Sequence, residues 1–331
     1  MSAAMVSALV QPDEAERRAV SVLQAGGLAA MPTETVYGLF GDATRPETVA
    51  RIFDAKGRPR FNPLIAHVAD EAMARAHGVF DERASRLAEA FWPGPLTLVM
   101  ERQPRSQICD LAAAGLATVA LRLPGAGFVR GVIGKLGRPV AGPSANPSGR
   151  VSPTTAEAVM SDIGDRIDLT INGGPCSVGL ESTVIGCAPE GAFLLRPGGL
   201  PKPEIERVLG EALQSAQLVN DARPQSPGML SRHYATHAPI RLDVRSVEPG
   251  EALLAFGRTL PPGSDQASMV LNLSTEGDLT EAAAQLYVYL RTLDAAAPKA
   301  IAVAPIPQEG LGEAITDRLR RAAVPPGPEA L

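Results

Sequence analysis

The chain has 331 residues, 45% hydrophobic and 20% charged, with 31 Lys or Arg against 36 Asp or Glu for a net charge of -5. That length allows two domains with a core each, and the acidic balance argues against a protein whose main task is to coat nucleic acid. Three scattered cysteines, Cys109, Cys176 and Cys187, support neither a disulfide framework nor a Cys-x-x-Cys metal site, and neither a signal peptide nor a membrane span is expected, so the chain reads as cytoplasmic.

In chain order, Asp13 to Gly26 has a cap residue, Glu14 and Glu16 in its first turn and apolar Val20 and Leu23, which predicts a short helix with a strand after it. Thr44-Arg45-Pro46-Glu47 has the spacing of a capping box, and Val49, Ile52 and Phe53 form one apolar face of a helix that Gly57 ends. Strands are predicted at Leu64 to Val68, Leu96 to Met100, Thr118 to Leu123, Val140 to Gly142, Ile167 to Ile171, Thr183 to Cys187 and Phe193 to Arg196. Helices alternate with them at Arg83 to Phe91, Phe128 to Leu136, Thr154 to Met160, with Thr154 and Glu157 as a second capping box, and Pro203 to Leu213. Residues 1–214 are therefore expected to form a mixed α/β domain. The Pro/Gly-rich stretch 215–239, with Ser226-Pro227-Gly228-Met229 and His233-Tyr234, is expected to be a linker that works as a lid. Strands at Ile240 to Val244, Ala252 to Phe256, Met269 to Leu273 and Ala300 to Ala304, with helices at Thr280 to Ala296 and Gly312 to Ala323, make 240–331 a smaller α/β domain with a frayed tail from Pro325.

Three segments concentrate polar chemistry: Pro32-Thr33-Glu34-Thr35-Val36-Tyr37-Gly38-Leu39, Lys56-Gly57-Arg58-Pro59, and Pro143-Ser144-Ala145-Asn146-Pro147-Ser148-Gly149. Hydroxyls, a Lys-x-Arg pair and stiff Gly/Pro turns suit a backbone passing close to a polyphosphate. No Gly-x-x-x-x-Gly-Lys-Ser/Thr or Gly-x-Gly-x-x-Gly occurs, so the common nucleotide-binding loops have no support. Each residue also has a plainer reading. Lys56 and Arg58 suit a solvated helix end, Ser144 and Asn146 an ordinary turn, Arg122 the solvent face of a strand, and His67 a space-filling ring. Arg196 equally suits a solvated turn.

Taken together, these segments resemble the YrdC-like family. Pro-Thr-Glu-Thr-x-Tyr-Gly-Leu, Lys-x-Arg-Pro, Trp92-Pro93-Gly94-Pro95-Leu96-Thr97, Ser-x-Asn-Pro-Ser-Gly, Glu181-Ser182-Thr183 and Arg196-Pro197-Gly198 occur in family order. Continuation through the linker resembles the two-domain L-threonylcarbamoyladenylate synthases. The resemblance implies a twisted open mixed sheet with a concave basic cavity, followed by a smaller Rossmann-like α/β domain. It implies conversion of L-threonine, bicarbonate and ATP, with Mg2+, to threonylcarbamoyl-AMP and pyrophosphate. The product would pass to a tRNA threonylcarbamoyl transferase complex that modifies the adenosine next to the anticodon, and the cavity leaves room for weak tRNA binding. Carried over by residue, ATP contacts fall on Arg58, Asn62, Thr118, Ser144, Ser152, Arg196 and Tyr234, and threonine contacts on Thr35, His67, Arg122, Gly142 and Ser182, with Lys56 and Arg58 as the charged catalytic pair. Alternatives are an RNA-binding module, disfavoured by net charge and the lack of an aromatic stacking motif, and a carbamoyl transferase of the hydrogenase-maturation type, which expects further domains.

Overall fold

The computed structural model describes residues 4–7, 12–215 and 233–325. Ser226-Pro227-Gly228-Met229, on which the expected lid rests, lies outside the described residues, as does residue 326 onward. The described residues fall into two compact units: those within Met1–Ser148, Pro153–Ser177 and Glu181–Leu230, and those within Gly149–Ser152, Val178–Leu180 and Ser231–Leu331.

Strands of the first unit are β1 (Ala4–Ser7), β2 (Ala29–Pro32), β3 (Tyr37–Asp42), β4 (Ile65–His67), β5 (Leu96–Glu101), β6 (Thr118–Arg122), β7 (Val140–Ala141), β8 (Leu169–Asn172), β9 (Thr183–Ala188), β10 (Gly191–Arg196) and β11 (Gln214–Ser215). Among the described residues they form one mixed sheet in the order β1-β8-β2-β3-β7-β4-β6-β5-β9-β10-β11. Its helices are α1 (Pro12–Gln24), α2 (Pro46–Lys56), α3 (Glu71–Arg75), α4 (Glu82–Phe91), α5 (Gly127–Leu136), α6 (Ala156–Ile163) and α7 (Lys202–Leu209). Apolar faces of α2, α4, α6 and α7, such as Ile52, Leu87, Val159 and Ile205, pack with Leu39, Ala66, Leu98, Leu121 and Ile185 into the main core. Each such large side chain withdrawn from water contributes about 1.5–3 kcal/mol.

On the other face α1 and α5 cover only part of the sheet. Leu23, Val132 and Ile133 pack there with Met31, Phe40, Val140 and Ile171. Farther along, Ile65, Val99, Ala120, Val184 and Leu195 form a small cluster drawn from strands alone. Because side chains alternate along a strand, Ala66 points into the main core while Ile65 and His67 share the thinly covered face.

Local signals explain most elements and correct several expectations. The single strand expected after α1 is a hairpin, β2 antiparallel to β3 with Pro32 opposite Tyr37. The Thr44 to Glu47 capping box does not form. Asp42 Oδ1 takes the Thr44 hydroxyl at 2.6 Å, and α2 starts after Arg45 with no side-chain cap. Helix α6 is capped by Thr155 rather than Thr154, its hydroxyl accepting from the Ala158 N–H. Helix α3, capped by Asp70, was not expected.

In the second unit β12 (Ile240–Arg241), β13 (Ala252–Ala255), β14 (Val270–Asn272) and β15 (Ile301–Val303) form a parallel sheet in the order β12-β15-β13-β14. Here β12 is shorter than the predicted Ile240 to Val244. Helices α8 (Leu279–Ala295) and α9 (Leu311–Ala322) follow β14 and β15. Asp278 caps α8 by accepting from the Thr280 and Glu281 N–H groups. Its apolar side, including Leu286, Tyr287 and Leu290, is buried.

Candidate functional site

Strand register gathers the polar segments at two levels of the thinly covered face. Strand β4 runs parallel to β6, with Ile65 beside Ala120 and His67 beside Arg122, and antiparallel to β7, with Ala66 beside Ala141. Extending those registers toward the start of β4 sets Thr118 and Ser144 level with Pro63. At the other end β5 runs antiparallel to β6, pairing Leu98 with Leu121, so Thr97 lies opposite Arg122. The two levels are four residues of β4 apart, roughly 13 Å.

The first level is fixed by the end of α2. Gly57 adopts left-handed φ 58°, ψ 36°, its N–H bonds the Asp54 carbonyl, and the Arg58 N–H reaches back to Phe53 O at 2.9 Å. This is a Schellman ending, and glycine accepts its left-handed residue without a Cβ penalty. It throws Arg58 back under the loop, where Nε and Nη2 donate to the Asn62 and Pro63 carbonyls at 3.2 and 2.9 Å. Asn62 is buried, and its Oδ1 has no hydrogen-bond partner. Lys56, only 2% exposed, donates from Nζ to the carbonyls of Ser144 and Asn146, both at 2.5 Å, while its own carbonyl takes the Ser148 N–H at 2.8 Å. Burial and then the Arg58 charge push the Lys56 ammonium well below its ordinary pKa, against Asp162 and Glu181. The solvated-helix-end reading of this pair is thereby overturned. Lys56 grips the backbone of the Ser-x-Asn loop, and Ser144 bridges to Gly38 of β3.

The second level is built around Arg122, which does not face solvent. It is 4% exposed and donates to Gly94 O at 3.2 Å, Thr35 Oγ1 at 2.9 Å and Glu34 Oε1 at 2.6 Å. Residues 33–36 join β2 to β3, and the Thr33 hydroxyl holds their turn. It donates to Val36 O at 2.7 Å and accepts the N–H groups of Thr35 and Val36. The Thr35 hydroxyl, 2.7 Å from that of Thr33, therefore donates to Thr33 and accepts from Arg122. His67 is 2% exposed, packs edge-on against Phe40 with ring centroids 5.2 Å apart, and has a buried Nδ1 without a partner. Burial, reinforced by Arg122, lowers its pKa to about 3, so the ring is neutral at ordinary pH. Gly142 lies against it: a Cβ there would stand 2.4 Å from the Phe40 ring and 2.8 Å from His67 Nδ1.

Ser182 joins the same level through Thr97, their hydroxyls 2.7 Å apart. Arg196, also buried, donates from Nη2 to the Ser182 carbonyl at 2.8 Å, so it is no solvated turn residue. Gly198 permits that approach, since a Cβ would meet the Glu181 carbonyl at 2.4 Å. Within the first unit the structure thus groups Lys56, Arg58, Asn62, Thr118 and Ser144 at one level and Thr35, His67, Arg122, Gly142 and Ser182 at the other, with Arg196 bonded to Ser182. Ser152 and Tyr234 fall in the second unit. There Tyr234 is 1% exposed, stacked on Tyr287 with centroids 5.7 Å apart and lying 5.2 Å from the Arg318 guanidinium carbon.

Glu34 and Thr97 were not singled out from sequence. Glu34 had a readable signal, a lone carboxylate in a hydroxyl-rich turn in a chain with a strand arginine to neutralise. Thr97 had none, because only the β5 to β6 register brings it to Arg122.

A one-sided polar face on an open mixed α/β sheet, with guanidinium groups at both levels, defines a binding protein or enzyme for anionic small molecules. The Sua5/YciO/YrdC family profile, described as telomere recombination, matches residues 21–198, and a threonylcarbamoyl-AMP synthase C-terminal domain profile matches residues 200–324. The chain belongs to this family. It is 39% identical over 319 residues to a threonylcarbamoyl-AMP synthase of Bacillus subtilis, covering 92% of each, and 38% identical over 330 residues to one of Pyrococcus abyssi, covering 93% of each. A crystal structure of P. abyssi Sua5 complexed with L-threonine matches with a TM-score of 0.88 at 35% identity over 98% of both chains.

Proposed function

We propose that the chain is an L-threonylcarbamoyladenylate synthase, a nucleotidyltransferase that makes threonylcarbamoyl-AMP and pyrophosphate from L-threonine, bicarbonate and ATP for tRNA modification. The observation that carries it, beside the family, is the pairing of a buried Arg122 with a neutral, unpartnered His67 Nδ1 that lies 2.8 Å from where a Cβ on Gly142 would stand. Arg122 has five N–H groups, and three are engaged by Gly94, Thr35 and Glu34. The two left over suit an amino-acid carboxylate. Hydroxyls of Thr35 and Ser182 and the His67 nitrogen are the polar groups available to the rest of threonine. The other level takes the nucleotide through Arg58, Asn62, Thr118 and Ser144, with Arg196, bonded to Ser182 at the threonine level, as a further phosphate contact; this reading rests on first-unit residues, and Ser152 and Tyr234 add to it only by resemblance.

Carboxylation of the threonine amine by bicarbonate, with loss of water, gives a carbamate. One carbamate oxygen attacks the α-phosphorus of ATP, and the bond to the pyrophosphate oxygen breaks. Such a transfer depends on alignment and on neutralising charge on the phosphoryl oxygens, which Arg58 and Arg196 supply. Lys56 acts by holding the Ser144 to Ser148 loop. ATP use calls for a divalent metal. Among the described residues no group of three or more His, Cys, Asp or Glu side chains could hold a metal ion; Mg2+ brought with the nucleotide would add to the charge neutralisation that Arg58 and Arg196 give the phosphates.

In this reading 1–214 is the catalytic domain, 215–239 a linker and 240–331 a smaller domain. No helix among the described residues is long and apolar enough to cross a membrane, and the enzyme works in the cytoplasm, handing its product to a tRNA threonylcarbamoyl transferase complex and binding tRNA weakly at most. The decisive assay is pyrophosphate release from ATP. It must depend on both threonine and bicarbonate; release that ignores either one refutes the assignment.

A further inference from the structure

Glu34 is boxed in from three sides. Its Oε1 takes Arg122 Nη2 at 2.6 Å, its Oε2 takes the Ala126 N–H at the start of α5 at 3.2 Å, and Gly125 lets it approach, since a Cβ there would stand 3.1 Å from the carboxyl carbon. Burial opposes its ionisation, but the Arg122 charge and these hydrogen bonds outweigh that and hold the carboxyl below its usual range. The helix start adds favourable dipole. His67 is neutral, and burial pushes the nearby Cys176 thiol up to about 12, so neither adds charge.

We infer that Glu34 is a positioning and specificity residue: it cancels the charge of Arg122 and turns it, so that this level of the site selects a zwitterionic α-amino acid over the anion of a simple carboxylic or hydroxy acid. The inference rests on the threonine-binding reading above. A buried arginine alone would take any carboxylate or phosphate. Paired with Glu34, its remaining two N–H groups bind a carboxylate, while the negative charge of the Glu34 carboxylate favours a ligand that brings its own ammonium. The arginine–glutamate pair and the zwitterion are each neutral overall and match in sign, so neither has to be buried against an uncompensated charge.

The test is calorimetric titration of the full-length chain, without ATP, by L-threonine and by 2,3-dihydroxybutanoate, in which a hydroxyl replaces the amine. The wild type should prefer threonine. In Glu34→Gln, which keeps the shape and an acceptor, the ratio of the two affinities should shrink by about tenfold or more, with a cooperative melt showing the fold intact; a merely structural residue would leave that ratio alone. An unchanged ratio in folded Glu34→Gln overturns the inference while leaving the functional reading standing. Failure of the wild type to bind threonine overturns both. Should Glu34→Gln not fold, Glu34→Asp keeps the charge on a shorter stem and must keep the preference while binding both ligands less tightly; loss of preference with the charge retained overturns the inference.

Discussion

At residue scale, Phe40, His67 and Gly142 behave as one packed unit. Gly38 and Gly142 both lack the Cβ that would strike the Phe40 ring, at 2.5 and 2.4 Å, so the ring lies across the two strands and props the His67 ring edge-on. Gly142→Ala must therefore displace Phe40 or His67, and overpacking of that kind costs roughly 1–3 kcal/mol. Denaturant unfolding should register that loss, and the KM for threonine should rise; Phe40→Leu in the same chain should recover part of both. A Gly142→Ala protein as stable and as avid as the wild type would show that the wall yields freely. His67 gives a pH signature. Its folded pKa of about 3 lies below the ordinary 6.5, so the unfolded chain binds the proton first as pH falls. Its contribution to stability is complete above pH 6.5 and is lost progressively down to about pH 3. Between pH 7 and pH 5 that amounts to roughly 2 kcal/mol, a loss that His67→Gln should lack. Parallel pH profiles for the two proteins would mean that the imidazole is not held neutral.

At element scale, what was legible in the chain is what local chemistry fixes. Gly57 ends α2 as expected, because a left-handed residue is needed there and the Schellman bonds follow from it. The Thr44 capping box failed because Asp42, fixed at the end of β3, competes for the same hydroxyl. Strand β7, two residues long, owes its place to pairing with β3 and β4, and the second strand of the hairpin was hidden in a motif rich in threonine. The strand registers set the carried-over residues of the first unit at two levels of one face, and the plain readings of Arg122, Arg196 and the Lys56/Arg58 pair as solvated groups fail, since their partners are backbone carbonyls and a carboxylate far away in sequence. Two substitutions test the α2 exit. Gly57→Ala forces a side chain into φ 58° in otherwise open space, which costs about 1 kcal/mol, and should weaken ATP binding more than threonine binding by shifting Arg58. Lys56→Met should leave kcat/KM for ATP lower by about tenfold or more and speed hydrogen exchange at the Ser148 amide. Normal ATP kinetics in Lys56→Met, with that amide still protected, would deny the clamp any part in the site.

At the scale of the whole molecule, the division into units does not follow the chain. Gly149–Ser152 and Val178–Leu180 count with the second unit although each interrupts the first. Arg150 bridges to Ala235, the Ala235 N–H bonds Gly149 O at 2.7 Å, and Arg291 donates to Val151 O. Asp294 receives the N–H groups of His237 and Ala238 at 2.7 and 2.9 Å and pairs with Arg150 at 3.8 Å. Gly179 sits at φ 75° with room for no Cβ, since one would stand 2.4 Å from Ala283 O. These two excursions follow Ser148 and precede Glu181, neighbours in sequence of the Ser144 loop and of Ser182. A cut after residue 214 would strip both segments of the partners they have in the second unit. The expected result is that the fragment 1–214 melts below the full chain's first-unit transition, with amide exchange in 149–152 and 178–180 raised far above that in β4 and β6. In the full chain, Gly179→Ala should reproduce the exchange increase at 178–180 while leaving 149–152 protected, because only 178–180 meets α8 at Ala283, whereas 149–152 meets it at Arg291. If the fragment keeps both segments protected, they are held by the first unit alone, and the grouping of these residues with the second has no energetic meaning.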